Sequence, residues 1–355
     1  MNKILITATL MAMFALTSCM KNEAVSDAGL AKGLSFGSYS DLPTKADSTF
    51  VGTGVTKIPV NGTFGVYSFL TGSRITSVDG LNPSFFSNLK VTFDGKKYTY
   101  SPTKYWPADT VRNKLSFFAY YPCDNLSSLS KPTSEGNGGM GRYNYQVADK
   151  AQNQVDFMVS DLVPNLTYEH TNTGVTGLVN LKFHHLLSQV LVKAKVDAED
   201  ANTVVRISSI KFNNILSKGT MTPSYKDGKT SFEWSDLAEP KSYEVPLAKP
   251  FAALGTKAKD ITSGDGAVLI LMPQPLVSSL NPTITVTYTM QTGADQAIEN
   301  TITVPIYEED YTAAVKTWSI NQRITYTFIV GMSSFVIKFS SSVSEWDPNE
   351  DKSLM

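Results

Sequence analysis

Apolar and polar residues alternate through Thr283-Ile284-Thr285-Val286-Thr287-Tyr288-Thr289-Met290, the period of two expected of a half-buried β-strand. Ile302, Val304 and Ile306 repeat it, as do Ile324, Tyr326, Phe328 and Val330, followed by Phe335, Ile337 and Phe339. Val190, Val192 and Val196 alternate with Leu191, Lys193 and Lys195. Val268 to Met272 is apolar without a break, which predicts a short strand covered on both faces. Two aromatic-rich runs, Phe64 to Leu70 and Leu115 to Tyr121, suit a pleated surface. Glycine-rich turns at 94–97, 135–141, 226–229 and 263–266 separate the runs. No amphipathic helical pattern persists over several turns, and no short internal repeat is visible. The pattern predicts an all-β chain built from antiparallel sandwiches rather than a solenoid or propeller.

The N-terminus departs from this pattern. Lys3 precedes a mostly apolar, uncharged run from Ile4 to Leu16, shorter than the ~20 residues a spanning helix needs. It reads as a cleaved export signal covering residues 1–18. Leu16-Thr17-Ser18-Cys19 has the spacing of a bacterial lipobox, so the cut is expected between Ser18 and Cys19, with lipid on the Cys19 thiol. Each buried acyl methylene contributes ~0.8 kcal/mol, so more than one chain gives a stable anchor. The polar residues from Met20 onward suit a flexible tether over 19–33.

Composition narrows the picture further. A chain of 355 residues, 42% hydrophobic and 11% aromatic, can bury one large or two medium cores. A polar, turn-rich stretch at 168–180 suggests two sandwich domains, 34–180 and 181–355. With 31 basic and 32 acidic residues the net charge is −1, so no nucleic-acid partner is indicated. Once Cys19 is lipidated only Cys123 remains. No internal disulfide is then available, and Cys123 reads as a partly buried structural thiol.

Catalytic constellations are missing from the sequence. The histidines are His170, His184 and His185, and the adjacent pair would point to opposite faces of a strand rather than at one metal. There is no HExxH, GxSxG, phosphate-binding loop or paired CxxC. Asp156 and Asp161 are close in sequence, but a pair of acids among 32 is unremarkable. Trp106, Tyr120, Tyr121 and Trp234 could form a sugar-stacking platform, although core packing is the more usual role of such aromatics. No catalytic residue, metal or cofactor is expected.

Several ordered stretches carry a resemblance: PTKA at 43–46, YWP at 105–107, FFAYYP at 117–122 and VDFMVSD at 155–161. LKFHHLLSQVLVKAKV at 181–196, LMPQ at 271–274, WSINQRITYTFIV at 318–330 and IKFSSSVSEWDP at 337–348 continue the series. Together they resemble the fimbrillin-like lipoproteins of Gram-negative anaerobes of the gut and mouth. That resemblance implies two tandem transthyretin-like sandwiches and a role in fimbriae or adhesion. It also implies a lipid-anchored precursor at the outer membrane that loses its first strand to a protease. The vacated groove is then filled by a strand from another fimbrial subunit. Leu34 and Phe36 would belong to the first strand, with Phe335, Ile337 and Phe339 in the C-terminal strand, whether retained or donated. The connector LPTKADS at 42–48 places the cut between Lys45 and Ala46. Family members often carry arginine where Lys45 stands, so Arg74, the first arginine, is the alternative cleavage point. A second reading is a surface lipoprotein that does not polymerise and binds a glycan or a host or bacterial ligand. Coplanar exposed aromatics in a concavity would distinguish it.

Overall fold

The computed structural model describes residues 32–38, 58–124, 139–262, 268–307, 315–332 and 337–346. Ser18, Cys19, Lys45, Ala46 and Phe335 lie outside the described residues. The first half of the chain forms β1 (Ser35–Ser38), β2 (Thr63–Thr71), β3 (Phe86–Phe93), β4 (Tyr98–Thr99) and β5 (Lys114–Tyr121). It continues through β6 (Tyr143–Gln146), β7 (Met158–Ser160), β8 (Val163–Leu166), β9 (Leu178–Leu181) and β10 (Phe183–His185). Next come β11 (Ser188–Val196), β12 (Thr203–Lys226), β13 (Lys229–Glu244), β14 (Lys259–Asp260), β15 (Leu269–Leu271) and β16 (Gln274–Pro275). The last strands are β17 (Thr283–Thr292), β18 (Ile298–Pro305), β19 (Thr317–Trp318), β20 (Gln322–Val330) and β21 (Ile337–Glu345). Among the described residues the helical content is one 3₁₀ turn, Ala151–Asn153. The chain is all-β, as its periodicity predicts.

A seven-stranded sheet runs β10-β7-β5-β2-β3-β4, with β8 also on β5. It has a core on each face. On β5, Leu115, Phe117, Ala119 and Tyr121 enter one cluster, while Phe118 and Tyr120 enter the other. On β2, Phe64 and Val66 share the first cluster and Phe69 the second. This double coverage explains the dense aromatics of both strands. The β1-β9 pair lies over the first cluster. The other cluster is completed by a sheet ordered β14-β11-β20-β21, with β15 on β11, and one ordered β13-β12-β17-β18, with β6 on β12. The short β16-β19 pair adds Trp318 to that core.

Among the described residues most neighbouring strands are antiparallel, but two pairings are parallel. Ser188 to Val196 on β11 match Gln322 to Val330 on β20, and β1 matches β9. Parallel neighbours need a long connection between them. Strands β12 to β19 supply it in the first case, and residues 39–177 in the second.

The hairpin of β12 and β13 turns at Asp227 and Gly228, both with positive φ (52° and 81°), as a tight two-residue turn demands. Its base pairs with β17 and its outer part with β6. The tip rests on the first half of the chain: Asp227 N–H donates to the Thr76 carbonyl (3.0 Å), and Leu162 N–H donates to Thr230 Oγ1 (2.9 Å). The segment 168–180 ends in β9, and the chain passes from β10 into β11 through the fully buried Leu186 and Leu187.

Candidate strand-exchange groove

Residues 32–38 lie in a slot and are bonded along both edges. On one side Trp106 N–H donates to the Lys32 carbonyl (2.9 Å) and Leu34 N–H donates to the Lys104 carbonyl (3.0 Å). Gly33 forms an antiparallel bridge to Tyr105 between them. On the other side Ser35 N–H donates to the Gly177 carbonyl (3.2 Å), and the parallel register sets Phe36 against Val179 and Ser38 against Leu181. Tyr100 adds a side-chain bond, its hydroxyl donating to the Leu34 carbonyl at 2.7 Å. Trp106 Nε1–H donates to the Gly177 carbonyl (3.2 Å) and so braces the two walls against each other.

The inward side chains are Leu34 and Phe36, 4% and 5% exposed. Alternation explains the choice, since Ser35 between them faces solvent. The Phe36 ring sits among Tyr100 (5.6 Å between centroids), Phe86 (6.1 Å), Phe117 (6.1 Å) and Phe64 (6.5 Å), mostly edge to face. At the mouth, Lys32 Nζ meets Glu169 Oε1 at 2.7 Å and lies 4.2 Å from the centre of the Tyr168 ring. The hydrogen bond from Lys32 holds the Glu169 carboxyl below the usual carboxylate value. Leu34 and Phe36, expected as first-strand residues, are therefore brought together over one floor. The walls contributed by Tyr100, Lys104, Trp106 and Gly177 are not legible as such in the sequence, where YWP at 105–107 contains one of them.

Arg74 is exposed after β2. The next residue is held at both backbone groups: Ile75 N–H donates to Asn165 Oδ1 (2.8 Å), and Asn165 Nδ2 donates to the Ile75 carbonyl (2.9 Å). At the other end of the chain, Ile337 and Phe339 are 1% and 3% exposed on β21, which borders β20 at the end of its sheet. Phe339 packs against Tyr326 (5.8 Å) and Phe328 (6.4 Å). Trp346, just past β21, stacks flat on His185, with centroids 4.1 Å apart and planes 4° apart. His185 Nδ1 lies 2.6 Å from Asp156 Oδ2, and both residues are buried.

The remaining candidates for chemistry are dispersed. His184 points away from His185, its Nε2 3.0 Å from Asp161 Oδ2 without hydrogen-bond alignment and its ring against Phe232. Asp156 and Asp161 thus serve different histidines. Among the described residues no three His, Cys, Asp or Glu side chains cluster as metal ligands would. The Cys123 thiol is half-buried, and burial pushes its pKa up, away from the reactive thiolate. Trp106, Tyr120 and Tyr121 are buried, and Trp234 Nε1–H donates to the Leu186 carbonyl (2.7 Å) beside Tyr145 and Phe157. They form no exposed stacking platform. Among the described residues no helix is long and apolar enough to cross a membrane.

A family model described as Fimbrillin-like matches residues 51–346. The fimbrium subunit Fim1C of Phocaeicola vulgatus is 26% identical over 216 residues, covering 57% of this chain and 55% of the relative. The match thus spans about half the length of that relative. A fimbrial protein of Bacteroides vulgatus has a solved structure that superposes with a TM-score of 0.64 at 15% identity, covering 89% of this chain and 99% of that one. At that identity the likeness is one of fold.

Proposed function

Because this chain belongs to the fimbrillin-like family, we propose that it is a structural subunit of cell-surface fimbriae. In this reading it is exported with a lipid on Cys19, held at the outer membrane, and joined to other subunits through the slot that residues 32–38 occupy. The supporting observation is that β1 is bonded along both edges and sinks two large side chains, yet is not a strand of the seven-stranded sheet. Its removal leaves that sheet intact while exposing unpaired backbone groups and an apolar floor. An incoming strand satisfies both.

The chain carries a matching strand. Ile337-Lys338-Phe339-Ser340-Ser341 repeats the order of Leu34-Ser35-Phe36-Gly37-Ser38: a branched aliphatic, an outward polar residue, phenylalanine, a small residue and serine. A Cβ at Gly37 would meet Asn180 Oδ1 and Leu178 Cδ1 at 3.5 Å, an ordinary contact, so serine fits there. The donor is accordingly β21 of another copy.

The cut falls between Lys45 and Ala46 rather than after Arg74. Cleavage after Arg74 would remove β2 as well, and β2 is flanked by β3 and β5 inside the seven-stranded sheet. The bonds from Asn165 also occupy the Ile75 N–H and carbonyl, the backbone groups a protease would need to engage. Lys45→Ala should leave full-length, lipidated, membrane-bound monomer and abolish ladders on mild gels, while Arg74→Ala changes neither. Surface material that always begins at acylated Cys19 and never forms ladders would overturn the proposal.

A further inference from the structure

β21 is held unevenly. Ile337 and Phe339 are buried at its start, but none of the residues from Ser340 to Ser344 is buried, and Val343 is 45% exposed. Nine register pairs join β21 to β20, and among the described residues its other edge borders no strand. The next fully buried side chain is Trp346, 1% exposed, whose N–H donates to the Asn321 carbonyl (3.1 Å). Its ring lies on His185, which belongs to β10 in the seven-stranded sheet and not to the sheet of β21. Beyond its backbone pairing with β20, the segment is thus anchored by buried side chains at two places, and the second reaches across to another sheet.

We propose that Trp346 clasps the C-terminal strand in its own sheet, and that lifting this ring from His185 is the step that frees β21 for donation to a neighbouring copy. The proposal rests on the strand-exchange reading above. Stacking excludes water from an imidazole whose Nε2, like Asp156 Oδ1, has no hydrogen-bond partner among the described residues. Unpaired buried polar atoms are unfavourable, and hydration relieves them when the ring leaves. The clasp therefore closes by apolar burial and opens with partial compensation, the balance needed in a hold that must release. Ser340 to Ser344 contribute little buried area, so among the described residues no other buried apolar side chain anchors the second half of the strand.

Hydrogen exchange on the full-length chain reads this directly. Trp346→Ala should speed exchange of the β21 amides by about a hundredfold, as expected for loss of a buried tryptophan, with β12 and β17 unchanged. Trp346→Phe, which retains a ring for stacking, should recover most of the protection. His185→Ala, which removes the seat and leaves the ring, should open the same strand. Unchanged β21 exchange in Trp346→Ala, or equal acceleration across β12, β17 and β21, would overturn the clasp. Ladder formation separates the two ideas. Fast β21 opening without faster ladders refutes donation of this strand and leaves the clasp standing. Normal ladders with unchanged β21 exchange refute the clasp alone.

Discussion

The strands at the two ends of the described chain carry the same alternation and are held in opposite ways. β1 is short and wedged, with backbone partners on both sides, two buried side chains, and a phenylalanine ringed by four aromatics. β21 is long and peripheral, with nine pairs along one neighbour and its apolar contacts concentrated at its two ends. A strand wedged in a slot is either wholly in or wholly out. A strand laid along an edge can peel from one end. Similar sequence thus lies in a slot in one place and along a sheet edge in the other, and the surroundings decide which.

Phenylalanine truncation tests this contrast most strongly. Phe36→Ala should lower stability by about 3–5 kcal/mol, because four surrounding rings cannot close on the cavity. Phe339→Ala, at a sheet edge that can relax, should fall at about 3 kcal/mol. Urea denaturation of both variants checks the ranking, and equal losses would erase the distinction. Tyr100→Phe comes next. It deletes the bond to the Leu34 carbonyl and should remove about 0.5–1.5 kcal/mol. Faster hydrogen exchange should be confined to residues 32–38, with β21 unaffected. The smallest effect is expected from Lys32 and Glu169, which are partly exposed and screened by salt. The Glu169 carboxyl titrates below its unfolded value, so its contribution is present above about pH 4 and fades as pH falls through the folded value. Acid should therefore loosen β1 slightly in low salt. Lys32→Met should abolish that pH dependence in an exchange experiment run across the acid range.

Much of the fold is legible in the sequence where one face of a strand is buried and the other wet. Thr283 to Met290 maps onto β17 with every second residue inside, and Leu269 to Leu271 is buried throughout, as its unbroken apolar run implies. The β12–β13 hairpin is harder to read because its length is broken by features that mimic strand ends. Register shifts fall between Phe212 and Ile215 and between Lys218 and Thr220, and Asn214 has a positive φ. Pro223 lies beyond the last pair with β6, where β12 has a named neighbour on one side only, so its missing donor is tolerated. The parallel pairings are invisible for another reason: the alternation of faces is the same whichever way a neighbour runs. Leu34 and Phe36 could be found as an alternating pair. Tyr100 and Gly177 could not, because a wall made from a tyrosine hydroxyl and a loop carbonyl leaves no periodic trace.

The long hairpin also has a mechanical meaning. Were the covalent crossing at Leu186 and Leu187 the only tie between the two groups of sheets, tension along the chain would fall on two residues. Instead the arm reaches back through the Ser77–Lys226 bridge, the Asp227 to Thr76 bond and the four register pairs of β6 with β12. These ties and the shared core engage together when the halves are drawn apart, so a pull divides over several routes in parallel. A strand seated like β1 behaves similarly. Drawn along its own axis, it loads its flanking hydrogen bonds in shear and all at once, whereas an edge strand lifted from one end breaks them singly. The arrangement is stiff along the chain and yields to peeling.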